Sequence, residues 1–189
     1  MNFGFGTSEP VEFSQEIVDN LQLEELHNLL EKFDSTQMPD HLWRRLKLVA
    51  GQVAELMADF DKALAEYGKA LGAKDIHIQA EAYYRRAKVL ELQNLDESLV
   101  HYKYGIKLLE KVSDHDSLLI KMYIDRAWIF INGRQDLQQA EKNLERAEQL
   151  IPQQNRAELV GLHNAWAALL HKKKEAQKAF FLFYISLSF

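Results

Sequence analysis

Apolar residues recur along this chain at every third and fourth position. Leu23, Leu26, Leu30 and Phe33 form one stripe, and Ile76, Ala80, Tyr83, Ala87 and Leu90 a second. Leu95, Leu99, Tyr102, Ile106 and Leu109 form a third, and Leu137, Ala140, Leu144, Ala147 and Ile151 a fourth. This spacing gathers the apolar side chains on one face of a helix, and no useful stretch alternates with the period of two that a half-buried strand needs. Prolines occur only at 10, 39 and 152, where each punctuates a pair of helices. The pattern predicts helices over 11–19, 21–33, 40–58, 60–71, 76–93, 95–112, 117–132, 136–151, 155–172 and 174–186. Asp40, Asp75 and Asp136 are the expected N-caps, and Gly72 and Gly133 the expected left-handed C-caps. The chain is therefore expected to be all-α. Its very short turns pair the helices into antiparallel hairpins.

The pairs repeat. Small residues stand at matching places in the first helix of each pair, at Gly51, Ala87, Ala127 and Ala167. Ala63, Ser98, Ala140 and Ala179 do the same in the second helix, with Ala70, Gly105 and Ala147 seven residues later in the first three pairs. An aromatic or leucine follows four residues after the second marker, at Tyr67, Tyr102, Leu144 and Phe183. Small side chains let helix backbones approach where a hairpin crosses itself. The segments from Ala80 to Leu90 with Leu95-Asp-Glu-Ser, and from Leu137-Gln-Gln-Ala through Ala147 to Ile151-Pro152, carry the pattern best. This arrangement resembles the tetratricopeptide repeat family, whose unit is a helix–turn–helix of about 34 residues. Tyr83 and Tyr123 stand where that family has an aromatic near the start of the first helix. The resemblance implies a right-handed α-solenoid of antiparallel helix hairpins. Residues 1–39 would be an N-terminal tail with capping helices, and 40–189 an array of three full repeats and a partial fourth. Departures are a turn one residue short after Gln93, one a residue long around Gly133, and an extended loop at Ser113-Asp114-His115-Asp116.

Composition narrows the class. With 47% hydrophobic and 27% charged residues the chain can bury a core. Its net charge of −5 argues against a nucleic-acid partner, which asks for a basic surface. It contains no cysteine, so disulfide, thiolate and cysteine–zinc chemistry are excluded, and a reducing, cytoplasmic setting is expected. The start carries no basic or apolar signal region, and the apolar end, 179–189, is shorter than the about 20 residues of a membrane-crossing helix. No phosphate-binding glycine loop, nucleophile elbow or His-Glu-x-x-His zinc motif is present. Asp114-His115-Asp116 reads as a solvated turn, and no enzyme activity, metal or cofactor is expected.

The resemblance implies that a peptide or helix of a protein partner binds in a concave groove lined by the first helices. The matching positions are Arg45, Leu48, Gln52 and Glu55, then Glu81, Tyr84, Lys88 and Glu91. Lys121, Ile124, Trp128 and Ile131 follow, then Asn164, Ala168 and His171. Arg45, Gln52, Tyr84, Lys88, Lys121, Trp128 and Asn164 are the candidate contacts, because aromatic and cationic groups dominate interface energetics. The family's carboxylate-clamp positions hold Leu48, Gln52, Arg85 and Asp125, so the chaperone-binding subclass is not expected. Two basic runs, Arg44-Arg45-x-Lys47 and Arg85-Arg86-x-Lys88, favour an acidic partner if they line the groove. The chain then reads as a non-catalytic interaction module, such as the sensor or regulatory part of a larger bacterial signalling protein. The alternative is a structural unit that dimerises through its apolar end, with Phe180, Phe181, Phe183 and Tyr184 as the oligomer contact.

Overall fold

Four helix starts are set by one side chain each. Asp59 accepts from the Lys62 amide, Asp75 from those of His77 and Ile78, Asn94 from that of Glu97, and Asp136 from that of Gln139. Each satisfies amides that have no partner within the helix. The computed structural model describes residues 23–33, 35–36, 38–112, 117–151 and 156–186. Among these the elements are α1 Leu23–Glu31, α2 Asp40–Leu56, α3 Phe60–Ala70, α4 Ile76–Leu90 and α5 Leu95–Leu109. Then come α6 Ser117–Trp128, which runs on as a π-helix over Ile129–Arg134, α7 Leu137–Leu150 and α8 Arg156–Ser186. The described residues are all-helical with no strand, and no helix among them is long and apolar enough to cross a membrane. The helix expected over 11–19 lies outside the described residues.

Several expected boundaries are corrected. Asp40 is the first helical residue and not the cap; Pro39 stands in the cap position, and the Asp40 carboxylate accepts from Arg44 Nε at 3.1 Å. Phe33 falls beyond the end of α1 and is 39% exposed. Neither Gly72 nor Gly133 is left-handed, since no described glycine has positive φ. The left-handed residues are Ala58 and Gln135. At Ala58 its amide donates to the Glu55 carbonyl and the Asp59 amide to that of Ala54, the two bonds of a Schellman motif, with alanine where glycine is usual. No turn separates 172 from 174 either. Arg156–Ser186 is one helix of 31 residues.

The helices pack chiefly on their chain neighbours, as pairs α2/α3, α4/α5 and α6/α7, with α2 also touching α4 and α6 touching α8. α1 lays Leu23, Leu26 and Leu30 against Leu46, Val49, Ala50 and Val53 of α2. The predicted small positions hold in the first three pairs: Gly51, Ala87 and Ala127, and opposite them Ala63, Ser98 and Ala140, are all buried. A Cβ added to Gly51 would lie 2.4 Å from Cε1 of the buried Tyr67, so this crossing requires the missing side chain. At Gly105 the added atom would meet Met122 at 2.7 Å. Ser98 ties its hairpin directly, its hydroxyl donating to the Ala87 carbonyl at 2.8 Å. In the fourth position the register is corrected. Ala167 is exposed, and Leu162, Ala165 and Leu169 form the buried stripe of α8.

Two substitutions with opposite effects test these backbone readings. Gly51→Ala improves helix propensity by up to about 1 kcal/mol, yet the ring contact makes it destabilising, by about 1–3 kcal/mol net. Ala58→Gly is expected to stabilise by about 1 kcal/mol, by removing a left-handed alanine. Urea unfolding followed by circular dichroism checks both, and a stable Gly51→Ala protein would show that Tyr67 does not rest on that turn.

Candidate functional site

The side chains that stand four residues after each pair of small markers meet across the hairpin. In the first pair Tyr67, fully buried, donates its phenol to Glu55. In the second Tyr102, equally buried, donates to Glu91 Oε1 at 2.5 Å. In the third the same two positions hold Ile131 and Leu144, both buried and apolar. A buried hydroxyl needs an acceptor, so these sites carry either both polar partners or neither.

The second pair extends this arrangement into a surface network. Lys88 Nζ lies 3.0 Å from Glu91 Oε2 and 3.8 Å from Asp125 Oδ2, so α4 presents its ammonium between two carboxylates, one from α6. Tyr84, 5% exposed, packs edge-on against Tyr102 and donates to Asp125 Oδ2 at 3.0 Å. Lys121 Nζ stands over the Tyr84 ring, 5.5 Å from its centroid, where the ring's negative face attracts a cation. Each carboxylate beside Lys88 is thus held by a phenol from below. Burial pushes the Tyr67, Tyr84 and Tyr102 phenols well up, and the neighbouring carboxylates push them further, so all remain hydrogen-bond donors. Tyr123, which donates to Glu110, is pushed up to about 12, first by burial and then by that bond.

No family model matches the chain, no curated protein matches it, and no solved structure does.

Of the candidate contacts, Tyr84, Lys88 and Lys121 come together, and Trp128 is half-buried against the same core. Arg45 and Asn164 are exposed and join no described cluster around Lys88, while Gln52 is half-buried. Leu48, Ile124 and Ile131, which were expected to face the groove, are buried at 5%, 7% and 1% exposure and belong to the core. Phe180, Phe181, Phe183 and Tyr184 have side chains outside the described residues. The basic runs do not form one surface. Lys47 is buried against Glu66, 3.2 Å away, Arg44 donates to the Lys69 carbonyl, and Arg86 to that of Leu64. Asp125 was legible only as a departure from the clamp pattern. The Glu55/Tyr67 and Glu91/Tyr102 pairs were missed, although each Glu stands four residues after its small marker.

Two outcomes are expected. Glu91→Ile alone strands the Tyr102 hydroxyl and should cost about 1–3 kcal/mol. Adding Tyr102→Leu, which copies the Ile131/Leu144 pair, should cost less than the sum of the single changes, and a double-mutant cycle measures that coupling. Because the folded phenols titrate above their unfolded value of about 10, stability is intact below that pH and falls as pH rises through it. Tyrosinate absorbance from the buried rings should therefore appear together with the loss of helical signal, and ionisation well before unfolding would contradict their burial.

Proposed function

We propose that the chain is a non-catalytic protein–protein interaction module, a tetratricopeptide-like right-handed array that takes a peptide or helix of a partner across the face shared by α4 and α6. The observation that carries this reading is the phenol-held pair of carboxylates around Lys88. The groups are fixed before any partner arrives, so little side-chain entropy remains to be lost on binding. Glu91 and Asp125 balance Lys88 and Lys121 in charge. A partner segment carrying both signs fits this face better than a purely acidic one. Trp128 beside it offers apolar area of the kind that anchors interfaces.

The test is a selection of peptide binders from a display library against the folded chain, followed by their titration with a Lys88→Glu, Lys121→Glu variant. Loss of about tenfold or more in affinity, with helicity unchanged, is the expected result, since a central contact is worth about 1–2 kcal/mol or more. Unchanged affinity for every selected peptide would place binding elsewhere.

A further inference from the structure

A second surface lies where α4 meets its hairpin partner α5. The rings of Tyr83 of α4 and Tyr104 of α5 lie against one another, 5.6 Å between centroids and tilted by 33°, and Tyr104 is half-exposed. They line an open depression of about 200 Å³ together with Gln79, Lys107, Leu108 and Lys111. Gln79 is pinned there, its amide donating to the Leu71 carbonyl at 2.7 Å. Tyr104 and Lys107 lie one turn apart on α5, and Lys111 stands in the turn just beyond its end, lining the same depression. Both lysines are exposed, and among the described residues neither has a carboxylate partner.

Size and charge select the ligand. An apolar cavity of about 150 Å³ takes one benzene ring, so this depression holds a single ring with an anionic head. It falls short of the about 300 Å³ at which larger ligands begin. Among the described residues these two ammonium groups have no carboxylate partner, and together they ask for two negative charges. A phosphate monoester carries about −1.5 to −2 near neutral pH, whereas a carboxylate carries one. The exposed half of Tyr104 supplies a face on which an aromatic ring can stack. We propose that this depression binds an aryl phosphate, its ring laid on Tyr104 and its phosphate held between Lys107 and Lys111. The site is separate from the α4–α6 face and does not depend on the function proposed for it.

Phenyl phosphate titrated into the full chain, followed by amide NMR, tests the assignment. Saturable shifts centred on 104–111 are expected, with binding about tenfold tighter than phenol, the scale two screened ion pairs supply, and up to about tenfold tighter than inorganic phosphate, the scale one stacked ring supplies. Lys107→Glu with Lys111→Glu should abolish the shifts, and Tyr104→Ala should remove the preference over inorganic phosphate. All three positions are exposed, and unchanged helicity confirms that the variants fold. A phosphotyrosine peptide that binds tighter than phenyl phosphate assigns the group to a partner chain. Phenyl phosphate binding without the peptide assigns it to a free small molecule; both results uphold the site. The proposal is overturned by no saturable shift, by inorganic phosphate matching phenyl phosphate, or by full binding in the double-lysine variant.

Discussion

A tyrosine can be buried between two helices only if its hydroxyl finds an acceptor in the same dry space. In this chain that constraint joins the core to the surface. Tyr67 and Tyr102 fill the crossing where small residues leave room, and their phenols must reach Glu55 and Glu91 near the ends of α2 and α4. Those glutamates are thereby held still. Glu91 then fixes Lys88, and Lys88 approaches Asp125 of the next hairpin, which Tyr84 also binds. Core packing and the surface charge network are consecutive links of one chain of contacts.

The third hairpin solves the same crossing without polar groups, and its connection differs accordingly. From small marker to small marker the spacing is 12 residues in the first pair, Gly51 to Ala63, and 11 in the second, Ala87 to Ser98. It is 13 in the third, Ala127 to Ala140. The π-helix at Ile129–Arg134 takes up the longer count, because its wider turns hold more residues for the same advance. Gln135 then turns left-handed and Asp136 starts α7. Gly133 closes against Leu95 of α5, where an added Cβ would stand 2.9 Å from Cδ1. The extra residue was visible in the sequence. Its absorption into a π-helix was not, since that widening has no composition of its own.

The stripes over 76–90, 95–109 and 137–150 and the caps at Asp75 and Asp136 were legible because each rests on local chemistry, a period or a carboxylate before a helix. Asp40, Gly72 and Gly133 failed as caps although their signal was local, and two further failures came where repetition was used in place of a local signal. A turn near 173 was expected from the preceding hairpins, yet residues 162–186 contain neither glycine nor proline, and Lys172-Lys173-Lys174 are good helix formers. With nothing to break it, α8 runs through. Ala167 failed for the same reason. It matched a spacing of 40 residues, but the stripe of α8 itself, Leu162, Ala165 and Leu169, places the buried face two residues earlier.

Charge is not legible when taken as runs. Successive helical residues are turned by about 100° from one another, so neighbours in a basic run point in different directions. Lys47 enters the core and meets Glu66, Arg44 binds the Lys69 carbonyl of α3, and Arg86 binds the Leu64 carbonyl, while Lys88 joins the α4–α6 network. Lys107 and Lys111 belong to no run, yet both line the depression beside Tyr83 and Tyr104. On a helix, a surface able to hold an anion is defined by residues three, four and seven apart. A cluster of adjacent cations is instead shared out among whatever elements surround it.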